Sequence, residues 1–281
     1  MNNLKTVLLL GLLSGLLLMG GEALGGRQGL YMGLGLAVLM NAAGYFFSDK
    51  IALRMYSAVP VSPTENTRVY GRVGPMTMNL CQRMDLPMPK LWLIQDPSPN
   101  AFATGRNPAH ASVAVTAGLL ELMNDRELEG VIAHELGHVS NRDILVSSIA
   151  ATIGAAITML ARMAFWFGGR SGDDEDNGGG FLSGVLMLVL APIAALLIQM
   201  AISRTREFGA DAAAARYTGS PDGLISALRK LEGASRRVPM DATPATAHMF
   251  IINPLSGGAL LKLFSTHPST DQRIARLAAL R

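Results

Sequence analysis

His134, Glu135 and His138 are the residues of this 281-residue chain whose types and spacing point most directly to chemistry. They lie in a stretch, residues 124–141, that reads as an amphipathic helix. Histidines four apart on a helix share one face, one turn apart. Their imidazoles could converge on one tetrahedral metal ion, and the intervening Glu could reach a water on that ion. A metal held there lowers the pKa of water towards neutrality, and the Glu is placed to take its proton. The chemistry would be hydrolysis. The same five residues also fit a polar helix surface, so a third ligand and a substrate platform must come from elsewhere.

Two His and an open water position leave zinc one protein ligand short. The chain has a single cysteine, Cys81, far upstream, which excludes an intrachain disulfide and reads as a small apolar residue on a helix. The other histidines, His110, His248 and His267, fall in loop-like sequence, and surface or structural roles fit His110 and His248. A carboxylate on a neighbouring helix is the usual completion, and Glu207, in Arg204-Thr205-Arg206-Glu207-Phe208-Gly209-Ala210-Asp211, is the best candidate. Asp211, one turn on, could accept the free ring N–H of a ligand His and fix its tautomer. Taken alone, the pair reads better as an ordinary solvated helix face.

The elements that must position these residues divide sharply by polarity. The chain is 49% hydrophobic and only 16% charged, against about a quarter charged in soluble domains. A net charge of +3 without aromatic-basic interleaving argues against nucleic acid. Residues 6–21 and 29–47 are apolar runs joined by a Gly-rich turn. They read as a transmembrane hairpin, although the first is short and also has the basic start of a signal peptide. Gly11 and Gly15, and Gly29 and Gly33, have the spacing of close helix packing. Residues 144–168, with Arg162 near the far interface, and 181–202 read as a second hairpin. Its loop, 169–180, is Gly-rich with a solvated acidic run. Lys5, Lys50, Arg54, Arg142, Arg204 and Arg206 flank the runs on one side, which makes that side cytoplasmic. The expected organisation is a first hairpin (1–49), a first catalytic part (50–143), a second hairpin (144–202) and a second catalytic part (203–281), with both termini cytoplasmic.

Within the soluble parts, Ser62-Pro63-Thr64-Glu65 has the form of a capping box opening a helix to about Met84, with Pro75 as a possible kink. Residues 90–95, 101–104 and 112–116 read as strands, the last two antiparallel around Gly105-Arg106-Asn107-Pro108. Residues 118–123 form a short helix, and Asn124 with Glu127 makes a second capping box for the helix of the metal motif. Residues 205–217, 222–232 and 269–280 read as further helices, and 238–260, with three prolines, as irregular.

Over essentially its full length the chain resembles the HtpX family of membrane-bound zinc metalloproteases, bacterial relatives of the CAAX prenyl endopeptidases. Pro99-Asn100-Ala101-Phe102-Ala103-Thr104-Gly105 is similar to that family's substrate-edge motif, and Val113-Ala114-Val115-Thr116 to the strand behind it. His134-Glu135-x-x-His138 with Asn141-Arg142-Asp143 resembles its metal helix, and Ser203 to Asp211 its third-ligand helix, with Phe208 where Tyr is common. The resemblance implies an α-helical membrane protein with a cytoplasmic zincin-like α+β metalloprotease domain, mostly helical with a small antiparallel sheet. It implies one Zn2+ per chain on His134, His138 and Glu207, Glu135 as general base and then acid, and Asn100 to Thr104 as the substrate edge. Thr266-His267-Pro268 with Arg273 resembles the C-terminal signature, where the His steadies the oxyanion of the tetrahedral intermediate. Without the resemblance His267 reads as a residue leading into a helix.

A strand edge would hold a peptide by main-chain pairing, which favours broad specificity. Only five residues separate His138 from the run at Ile144, under about 10 Å if helical, so the site is expected near the cytoplasmic face of the bacterial inner membrane. The lipid bilayer and unfolded or misassembled membrane proteins are the expected partners, and membrane-protein quality control under stress the expected role. The competing expectations are a CAAX-type peptidase acting on lipidated tails and a catalytically idle scaffold, against which the intact Glu135 argues.

Overall fold

The computed structural model describes residues 2–149, 204–235, 237, 251 and 268–281. Most of the second apolar hairpin with its acidic loop and Arg162, the segment with His248, and His267 lie outside the described residues.

Helix α1 (Asn2–Met55) reverses on itself. Gly26 has φ +55°, a left-handed conformation that costs glycine little. The arms then run side by side: Asn41 Nδ2 donates to Leu10 O at 3.3 Å and to Ser14 Oγ at 2.8 Å. Gly29 lies against the Gly21 backbone and Gly33 against Leu17, whereas Gly11 and Gly15 have open space beside them. Glycine spacing therefore marks close packing on the second arm only. Among the described residues, Gly26–Phe47 is the one helical segment long and apolar enough to cross a membrane, and Thr6–Met19 is a shorter apolar helix.

The sheet contains β1 (Val59–Val61), β2 (Lys90–Ile94), β3 (Ala101–Gly105) and β4 (Ala111–Thr116), in the order β1-β2-β4-β3. β3 and β4 pair antiparallel as expected, with Phe102 opposite Ala114. The sheet is nevertheless mixed, not antiparallel, because β2 and β4 pair parallel, Trp92 opposite Ala114. β3 runs opposite to β2, and the turn after it reverses the chain again, so β4, inserted between them, runs parallel to β2. β1, which the sequence did not suggest, is three residues with Pro60 at its centre; an edge position tolerates the missing donor.

Strand alternation sorts the side chains onto two apolar faces. Leu91, Leu93, Ala101, Ala103, Val113 and Val115 join the main core, while Ile94, Phe102 and Ala114 pack on Ala52 and Leu53 near the end of α1. Burial on both faces explains why the strands read as nearly unbroken apolar runs.

α2 (Thr67–Met84) starts later than the Ser62 box implies. Ser62 Oγ does accept the Glu65 N–H at 3.0 Å, but this closes a turn. Asn66, at φ +51°, interrupts before the helix, and its amide reaches back to Pro60 O at 2.6 Å. Pro75 lies within α2, which continues through it. Cys81 is buried there, and burial pushes its thiol up to about 11. α3 (Ala117–Leu122) leads into α4 (Asp125–Ser140), where Asn124 and Glu127 form the reciprocal capping box. α5 (Arg204–Thr218), α6 (Asp222–Ser235) and α7 (Thr270–Ala278) follow.

Candidate metal centre

α4 is the buried axis of the domain. Leu128, Val131, Ile132 and Leu136 are in its core, and its N-terminus is anchored by more than the capping box. Glu127 also accepts Lys230 Nζ at 2.6 Å and Ser226 Oγ at 2.7 Å from α6. Burial alone would raise the Glu127 carboxyl, but these donors and the Asn124 N–H hold it below its usual range.

Glycines set how closely neighbours approach α4. A Cβ on Gly137 would meet Ala210 Cα at 3.0 Å and Ala210 O at 3.2 Å. A Cβ on Gly130, two turns earlier on the same face, would meet Leu224 N at 2.7 Å. Ala210 is three residues beyond Glu207, and Gly137 lies between the two histidines. This close crossing of α4 and α5 brings Glu207 to the imidazoles.

The ligating atoms of His134, His138 and Glu207 all lie within 4.8 Å of one another. His134 Nε2 is 3.7 Å from Glu207 Oε2, and His138 Nε2 is 3.6 Å from Glu207 Oε1. A tetrahedral ion with bonds of ~2.0–2.1 Å requires ligand separations of roughly 3.3–3.5 Å. The orientation of the rings also fits a metal. His134 Nδ1 is 2.9 Å from Asp211 Oδ1 and His138 Nδ1 is 3.2 Å from Asp143 Oδ2. Each carboxylate can hold the proton on Nδ1 and leave the Nε2 lone pair directed inward. Two imidazole nitrogens and a carboxylate are a donor set suited to Zn2+.

Glu135 is buried beside this cluster. Burial raises its carboxyl to about 8 and the charge of Glu207 adds to the rise, against the opposing influence of His138. The Glu135 carboxylate accepts the backbone N–H of Ala103, which sets it against the expected substrate edge. β3 is an edge strand of the sheet, at the opposite edge from β1, with all five of its residues buried. Asn100 sits at its start, its N–H donated to Thr116 Oγ1 at 2.8 Å.

Two contributors carried no assigned role in the sequence. Asp143 reaches His138 because α4 ends in a left-handed turn: Arg142 has φ +57°, the Arg142 N–H donates to Val139 O and the Asp143 N–H to His138 O. This 6→1, 5→2 closure is a common helix ending, usually with Gly at the left-handed position. Arg occupies it here, so the usual sequence signal is missing. Arg273 is fully buried and holds Asp211 with both arms of its guanidinium, Nε–Oδ2 2.9 Å and Nη2–Oδ1 2.6 Å. It also donates to Ile251 O at 2.7 Å and lies 3.9 Å from Glu207 Oε2. Burial works against the charge of Asp211, but Arg273 and His134 keep that carboxyl below its usual value. Arg206, expected as a basic flank of an apolar run, instead turns inward, with Nε 3.9 Å from Asp143 Oδ1. His110 is exposed on a turn, bonded to Asn107 and Arg106.

A buried helix presenting two His and a buried Glu, crossed closely by a second helix bearing a carboxylate, is the arrangement expected of a helix-borne metallopeptidase site. Residues 68–281 match peptidase family M48. The chain belongs to that family and, within it, to the HtpX proteases. It is 54% identical to a protease HtpX homolog of Desulfatibacillum aliphaticivorans, over 100% of this chain and 90% of that one. It is 52% identical to one from Thermodesulfovibrio yellowstonii (100% and 99% covered) and 50% to one from Syntrophobacter fumaroxidans (98% of each). In fold it is similar to Ste24p of S. mikatae, with a TM-score of 0.53 at 19% identity, over 95% of this chain. It spans 62% of the length of that structure.

Proposed function

We propose that this chain is a membrane-integral zinc metalloendopeptidase that cuts damaged or misfolded membrane proteins on the cytoplasmic side of the bacterial inner membrane. The observation that carries the reading is the convergence of His134, His138 and Glu207 beside the buried Glu135. One zinc ion would be held by those three residues; when bound, zinc polarises the scissile carbonyl and acidifies water. Glu135 takes the proton of the attacking water and returns it to the leaving amine. Asp211 and Asp143 keep the two imidazoles in register, and Arg273 fixes Asp211 in turn. Asn100 to Thr104 pair with an extended substrate main chain. His267, outside the described residues, donates to the developing oxyanion; His267→Ala should lower kcat by about 10²–10³-fold without releasing zinc.

The membrane assignment is supported by the hairpin in α1, where Tyr31, Met32, Leu34, Val38, Leu39, Phe46 and Phe47 are all exposed. So many exposed large apolar side chains on one hairpin suit lipid. With residues 144–168 and 181–202 as further spans, both parts of the catalytic domain face the same side. The test is cleavage by the full chain reconstituted in lipid. An unfolded membrane protein should be cut at its cytoplasmic loops, and a prenylated tail peptide should not. Preferential cleavage of the prenylated tail would replace this reading with a CAAX-type activity.

A further inference from the structure

The two ends of β3 hold their outward N–H groups differently. In an antiparallel pair, alternate residues direct their N–H groups towards and away from the partner strand. Thr116 N–H donates to Asn100 O at 3.0 Å, so in the β3–β4 register the N–H groups of Ala101, Ala103 and Gly105 point away from β4. Each is met by a side chain. Asn100 Oδ1 accepts from Ala101 at 2.9 Å, the Glu135 carboxylate from Ala103, and Ser148 Oγ from Gly105 at 3.3 Å.

These three acceptors differ in how easily they leave. The Asn100 contact is local, its Oδ1 taking the N–H of the next residue in the chain. Glu135 must leave Ala103 to serve as a base. Ser148 is fully buried and also bonds Thr104 Oγ1 at 2.7 Å, itself fully buried. It stands on the helical stretch 144–149, immediately after Asp143, whose carbonyl accepts the Ser147 N–H at 3.2 Å and whose carboxylate orients His138. Displacing Ser148 would disturb a helix tied to a metal ligand.

We propose that Ser148 closes the Gly105 end of the substrate edge, so that a bound chain pairs with β3 at Ala101 and Ala103 and no further. This inference rests on the reading of β3 as the substrate strand. Ser148 thereby limits specificity: residues beyond Ala103 contribute no main-chain bond, and a short extended stretch of a loop suffices as substrate.

The test uses the full chain in detergent with zinc and two series of unstructured peptides, lengthened one residue at a time at the N- or the C-terminus. In the series that extends towards Gly105, wild-type kcat/KM should rise to a plateau once the peptide reaches Ala103. Ser148→Gly should lift the plateau by about 2–10-fold on further extension, the worth of one backbone hydrogen bond, and Ser148→Thr should keep it. The wild-type profile decides the matter even where Ser148→Gly fails to fold: continued gain in both series overturns the inference. So does a folded Ser148→Gly chain with the wild-type plateau. Absence of cleavage of any peptide by wild type overturns the peptidase reading itself.

Discussion

Asp143 and Asp211 each hold one histidine of the candidate metal centre. Losing such a partner typically costs 10–100-fold in metal affinity. Asp143→Ala should therefore weaken zinc binding by about that factor in a competitive chelator titration; unchanged affinity would deny Asp143 its orienting role. Arg273 differs because it neutralises Asp211 in a buried setting. Arg273→Met leaves that carboxylate without its buried counter-charge and should destabilise the fold by about 3–5 kcal/mol, seen as an early thermal transition. The legibility of these residues in sequence follows their geometry. Spacing along one helix placed His134, Glu135 and His138. The need for a third ligand, joined to the family resemblance, singled out Glu207 and Asp211. Asp143 stayed hidden because its contact with His138 depends on a left-handed turn occupied by Arg142 instead of Gly.

At the scale of elements, the N-terminus of α4 and its crossing with α5 set the site. Glu127→Gln weakens the capping box and the Lys230 contact together, and should cost about 1–2 kcal/mol at neutral pH. Because the folded-state carboxyl is held below its ordinary value, its contribution is present above the unfolded pKa near ~4.3 and fades as pH falls through the lower folded value. The difference between wild type and Glu127→Gln in denaturant melts should narrow accordingly. Gly137→Val places a branched side chain where Ala210 backbone already lies within 3.0–3.2 Å of a single Cβ. α5 must move outward and carry Glu207 with it, so zinc affinity should fall at least ~10-fold in the folded variant. The Asn124 capping box, β3 with β4, and α5 to α7 were readable from turn chemistry and periodicity. The parallel pairing of β2 with β4 was not, because strand partners are chosen by the packing of the whole sheet. The Ser62 box misled for a related reason: the same hydrogen bond closes an isolated turn and a helix start, and only Asn66 decides between them.

For the whole molecule, the end of α1 forms part of the catalytic domain. Ala52 and Leu53 pack on Phe102 of β3 and Ala114 of β4, and Tyr56 lies against the Phe102 ring with centroids 5.8 Å apart. The apolar hairpin therefore runs directly into the sheet that carries the expected substrate edge. The full chain should remain with the membrane fraction through an alkaline carbonate wash and require detergent for release. Recovery in the supernatant would contradict the membrane reading and leave the metal centre untouched. Apolar runs marked the two arms of α1 in the sequence, but the reversal at Gly26 and the seating of α1 on the sheet are properties of the folded chain.

The most direct measurement is zinc content and casein cleavage of the wild-type chain beside Glu135→Gln, each purified with chelator and then reloaded with zinc. Glu135→Gln should hold one zinc per chain with wild-type affinity and lose at least ~10²-fold in turnover. A variant that keeps its zinc and still cleaves at the wild-type rate would contradict the account.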